Sequence, residues 1–173
     1  GSRFSLRFYE ALPSGDAPTS VAVLDADGDG DLDVFVGTQR STTQGRIYQY
    51  RNWIAASFDL VYLQRVDASG IVMSLSAADL GGNAARTDLA VGYRTSTAGF
   101  GGGITIFYMD LGGINGLGVD PSGGTVVNMV PALAPANFNY GLNTTPPPSP
   151  YLTDLAAGLK ASATTGALVV FIR

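Results

Sequence analysis

The chain has 173 residues, of which 46% are apolar and only 14% charged, with a formal net charge of −4. It contains neither cysteine nor histidine, which excludes disulfides, thiolate nucleophiles, Cys/His zinc sites and imidazole acid–base chemistry together. Lys160 is the sole lysine among ten basic residues, so no basic patch exists to follow a phosphate backbone, and nucleic acid is excluded as a partner.

The length suffices for one domain with a hydrophobic core. The 23 glycines and 9 prolines, with β-branched and aromatic residues throughout, predict an all-β fold with many turns. No apolar run is long enough to span a membrane, and the N-terminus lacks a basic region followed by an apolar stretch, so the chain reads as a mature, soluble product.

In chain order, Arg3–Tyr9 alternates apolar and polar residues at period two and predicts a strand without a sheet of its own. A first unit, about residues 20–66, predicts strands over Ser20–Leu24, Asp33–Thr38, Arg46–Asn52 and Phe58–Val66. A second, about 72–130, predicts them over Val72–Ala78, Leu89–Tyr93, Gly103–Asp110 and Thr125–Val130. The third, about 138–173, opens with a weak strand at Phe138–Leu142. The spacer Thr144–Pro150 follows, held extended by its prolines, and then come strands from Asp154 and from Gly166.

One grammar links the units. Asp33-Val34-Phe35-Val36-Gly37, Asp88-Leu89-Ala90-Val91-Gly92 and Asp154-Leu155-Ala156-Ala157-Gly158 each precede a turn and a further β-rich run. Their spacing is roughly that of a four-stranded propeller blade. The expected architecture is therefore propeller-like, with about three four-stranded blades. The last lacks a strand, which Arg3–Tyr9 of the same or a neighbouring chain would supply.

Five aspartates crowd into Asp25-Ala26-Asp27-Gly28-Asp29-Gly30-Asp31-Leu32-Asp33. Oxygen donors at this spacing converge on one cation, with Gly30 permitting the sharp turn between them. Asp25, Asp27, Asp29 and Asp33 are the expected side-chain ligands, and Asp31 the donor of a backbone carbonyl. Without a cation, carboxylates this close would repel one another. All-oxygen coordination suits Ca2+ better than a transition metal. Val36 stands where an EF-hand needs glutamate, so the loop is not an EF-hand.

With its flanking strands, from Val21 to Gly37, this loop resembles the FG-GAP/VCBS repeat of integrin α-subunit propellers and of many secreted bacterial proteins. The resemblance implies that the loop joins the first two strands of a blade, that bound calcium ties them together, and that the protein works outside the cell. In the second unit Asp79 and Asp88 persist, but the intervening loop is one residue longer and carries Arg86 among its residues. The third unit keeps only Asp154. One calcium site is expected, not three.

Other features carry less. Gly99–Gly103 has no following Lys-Ser/Thr and reads as a hairpin tip rather than a phosphate cradle. Asn143-Thr144-Thr145 fits a glycosylation acceptor, and the prolines after it a stiff connector. Glu10 is the sole glutamate and the aspartates outside the loop are scattered, so no paired-carboxylate enzyme is indicated.

The expected function is a non-enzymatic, extracellular structural or adhesion module. Calcium would stabilise it, and edge strands would assemble it into a homo-oligomer or fibre. The alternative is a lectin-like propeller, or a non-catalytic domain of a polysaccharide-active enzyme, binding a glycan or cell-surface protein through exposed aromatics.

Overall fold

A computed structural model describes residues 8–53, 60–80, 87–109, 128–136 and 154–171. Among them every regular element is a strand, and the strands form three antiparallel sheets with no closed barrel, an arrangement compatible with propeller blades.

The first sheet is a four-stranded meander: β1 (Ala17–Leu24), β2 (Asp33–Gln39), β3 (Arg46–Asn52) and β4 (Leu60–Asp67), paired in that order. The second pairs β5 (Ile71–Ala78), β6 (Asp88–Arg94) and β7 (Gly102–Phe107), and the third pairs β8 (Met129–Ala136), β9 (Asp154–Lys160) and β10 (Gly166–Phe171). Each Asp-φ-φ-φ-Gly segment opens the second strand of its sheet, as the repeated pattern implies.

Alternation along the strands decides which core each side chain enters. Ala22, Leu24, Phe35 and Ile47 of the first sheet pack with Val72, Leu89, Val91 and Phe107 of the second. Ala90, Ile104 and Ile106, pointing the other way from the second sheet, pack with Val130, Leu155, Ala157 and Leu159 of the third. The middle sheet is thus covered on both faces, so β6 buries five consecutive residues from Asp88 to Gly92. The outer face of the first sheet gathers Tyr48, Tyr50 and Leu60, against which Phe8 and Leu12 pack.

The glycine closing each repeated segment now has a cause. A Cβ on Gly37 would collide with Val72 of the next sheet, and one on Gly92 would lie 2.6 Å from the Val130 carbonyl oxygen. At Gly158 a Cβ would meet Ala132 Cβ of its own sheet at 3.7 Å, an ordinary contact. Glycine is required where another sheet stacks on the strand.

One placement differs from expectation. The stretch ending at Val130 was expected to close the second sheet. Instead Val130 lies in β8, which pairs with β9 through Ala132↔Gly158 and Ala134↔Ala156. Pro131 and Pro135, which argue against a strand, are accommodated because β8 is an edge of its sheet and need not donate on its free side. The expected strand at Phe138–Leu142 and the proline spacer lie outside the described residues. So does all of Arg3–Tyr9 except Phe8 and Tyr9, which lie outside any strand; the Phe8 ring meets Tyr50 edge-on at 5.8 Å.

Candidate metal centre

The loop between β1 and β2 is wound by its own aspartates. Gly28 and Gly30 adopt φ of 79° and 91°, in the left-handed region that glycine enters without steric penalty. The two turns direct amides inward: Gly28 N donates to Asp25 Oδ1 at 2.7 Å and Gly30 N to Asp25 Oδ2 at 3.0 Å. Asp29 N donates to Asp27 Oδ1 at 3.2 Å, and Asp31 N to Asp29 Oδ1 at 2.9 Å. These are Asx-type turns, the local bonds that make aspartate a loop former.

Their effect is to bring carboxylate oxygens of Asp25, Asp27 and Asp29 within 4.8 Å of one another. Like charges this close raise the energy of the loop unless a cation lies between them. Hard oxygen donors are the chemistry that suits calcium, and these three side chains would hold such an ion. The amide of Asp31, followed by the Arg51 guanidinium, holds the Asp29 carboxyl below its ordinary value against the opposing effect of desolvation.

Asp33, expected among the ligands, lies outside the three that converge and bonds instead to backbone amides. Its Oδ2 accepts from Ala26 N at 3.3 Å and its Oδ1 from Asn52 N at 2.9 Å, so one buried carboxylate fastens the end of β1 to the end of β3. Loss of water pushes the carboxyl up to about 6, although both amides favour the anion.

The second sheet repeats the device without the acidic cluster. Leu80 N donates to Asp88 Oδ2 at 2.9 Å and Met109 N to Asp88 Oδ1 at 3.1 Å. The aspartate of the repeated pattern is therefore a backbone clamp in both sheets, which accounts for Asp88 where the other acids are missing.

Two groups escaped the sequence reading. Arg51, near the end of β3, directs Nη2 to Asp27 Oδ2 and, at 3.3 Å, to Asp29 Oδ2, with its guanidinium 4.4 Å from the centre of the Trp53 ring. Its local signal was only a cation two residues before a tryptophan. Asp16 is buried beneath Arg46 and Tyr48, accepting from Arg46 Nη1 at 3.1 Å and from the Tyr48 hydroxyl. This ties the segment before β1 to β3 across 30 residues, a separation no local pattern announces.

The family model for the FG-GAP repeat matches residues 17–48, which run from the start of β1 through the aspartate loop into β3. No curated protein matches the chain.

Proposed function

We propose, on the premise that residues 17–48 are an FG-GAP repeat, that this chain is a calcium-stabilised, non-enzymatic structural or adhesion module acting outside the cell. The observation that carries the reading is the convergence of Asp25, Asp27 and Asp29 inside the matched segment, at the end of the sheet where β1 turns into β2. Asp33 and the backbone carbonyl of Asp31 would complete the donor set, although only the first three aspartates converge. Bound calcium would supply further positive charge among carboxylates that otherwise repel one another. The residues themselves hold the first two strands and the end of the third in register.

An extracellular setting agrees with such repeats. Among the described residues no helix is long and apolar enough to cross a membrane.

Calorimetry on chelator-treated protein tests the calcium reading. One strong site is expected, with a melting temperature that climbs with calcium concentration because the ion binds the folded state preferentially. No binding, with melting indifferent to calcium, refutes it.

Assembly is the second part of the proposal. Strand β10 is an edge of the third sheet, and Leu168 and Val170 on it are exposed. An edge of this kind accepts a strand from a neighbour, and Arg3–Tyr9 has the alternation to provide it. Removing residues 1–10 should convert oligomers or fibres to monomers in light scattering; an unchanged particle mass rules this out.

A cavity of about 240 Å3 bordered by Glu10, Tyr48, Tyr50, Tyr62 and Arg65 favours a second reading, glycan binding. Glycan-array binding that disappears in Tyr62→Ala would favour it over the structural one.

A further inference from the structure

We infer that Arg51 is a built-in cation of the aspartate loop that exchanges with the metal ion, holding the loop closed when calcium is scarce and lowering its affinity when calcium is present. The inference rests on the calcium reading above and adds a residue outside the ligand spacing to it.

Three observations lead there. The Arg51 guanidinium is directed at Asp27 Oδ2 and Asp29 Oδ2, oxygens belonging to the same three carboxylates that converge as a metal-ligand set. Those oxygens cannot serve the guanidinium and a divalent ion fully at once, because two cations on one side would repel.

The hold is also incomplete. Only Nη2 reaches the acids, Nε is buried without a hydrogen-bond partner, and the face of the group rests on Trp53. A bidentate fork would be hard to displace, but one nitrogen on a side chain 27% exposed is not.

The third observation comes from the second sheet, where the bonds to Asp88 align Met109 with Asn52. The residue equivalent to Arg51 is then Tyr108. Arginine occupies this position in the sheet that has the acidic cluster and not in the one whose loop lacks it.

The mechanism begins with Asp33. By accepting from Asn52 N it fixes the end of β3 beside the loop, which sets Arg51 within reach of Asp27. At low calcium the guanidinium neutralises part of the acidic charge and the loop keeps its turns. At high calcium the ion takes the shared oxygens and Arg51 is released from them. Trp53, the chain's only tryptophan, sits under the guanidinium and reports the exchange.

The test compares the full-length chain with Arg51→Gln and Arg51→Lys after chelator treatment, titrating calcium chloride by calorimetry and by tryptophan emission. Arg51→Gln is expected to bind calcium roughly 1.5- to 5-fold more tightly, the range set by removal of a partly exposed ion pair. It should melt at a lower temperature than wild type without calcium and lose the calcium-dependent change in Trp53 emission. Arg51→Lys, which keeps the charge, should fall between the two.

Calcium affinity in Arg51→Gln equal to or weaker than wild type overturns the exchange. If wild type binds calcium normally, that result leaves the calcium reading standing; if wild type does not bind, both fall. Should Arg51→Gln fail to fold, wild-type Trp53 emission that ignores saturating calcium overturns the exchange by itself.

Discussion

Among individual residues, the aspartates divide by what their oxygens touch. Asp25, Asp27 and Asp29 bond mainly to amides of their own loop and leave oxygens facing a common point. Asp33 and Asp88 instead bridge strands, each closing two backbone amides that would otherwise be buried without acceptors. Leaving a buried donor unsatisfied costs about 1–3 kcal/mol. Asp88→Ala should therefore destabilise the chain by about 2–4 kcal/mol in urea denaturation. Added calcium should raise wild type and variant alike and leave the difference between them unchanged, since the acidic cluster is in another sheet. A variant that no longer responds to calcium would mean that Asp88 belongs to a metal site.

For whole strands, what distinguishes one sheet from the next is whether something is stacked on it. Gly37 and Gly92 face a neighbouring sheet at distances no side chain fits, while Gly158 has room for a methyl group. Gly92→Ala must push against the Val130 backbone and should cost about 1–3 kcal/mol, as overpacking does. Gly158→Ala should change stability by less than about 1 kcal/mol, because alanine also narrows the unfolded ensemble. Thermal melts of the two variants side by side check this, and equal losses would show that Gly158 is covered as Gly92 is.

Strand content was largely legible, because alternation and turn residues are local. Strand β8 was not: the stretch to Val130 reads as part of the second unit, and only the sheet order shows it pairing with β9 at an edge that tolerates Pro131 and Pro135.

Across the whole molecule, the outer face of the first sheet shows how packing changes chemistry. Tyr50 is buried under Phe8 and beside Tyr62, and loss of water, followed by the nearby Glu10 charge, pushes its phenol up to about 12 from an ordinary 10.0. Burial, helped by the bond to Asp16, raises Tyr48 as well. A folded-state value above the unfolded one means that the folded chain holds more protons between pH 10 and 12, so stability falls as pH rises through that window. Near-ultraviolet titration should show Tyr50 ionising well above pH 10 or only on unfolding, and urea midpoints should decline above pH 10. A Tyr50 that ionises with the exposed tyrosines, without loss of structure, would contradict its burial.

The sequence by itself determined the all-β class, the repeated Asp-φ-φ-φ-Gly strand and the loop from Asp25 to Asp33. Each is written in neighbouring residues whose backbone preferences act over a few positions. Tertiary structure alone decided that Arg51 meets Asp27, that Asp16 lies under Arg46 and Tyr48, and that Asp33 and Asp88 clamp strand ends. Those pairings join residues far apart in the chain, and only the register of the sheets brings them within reach of one another.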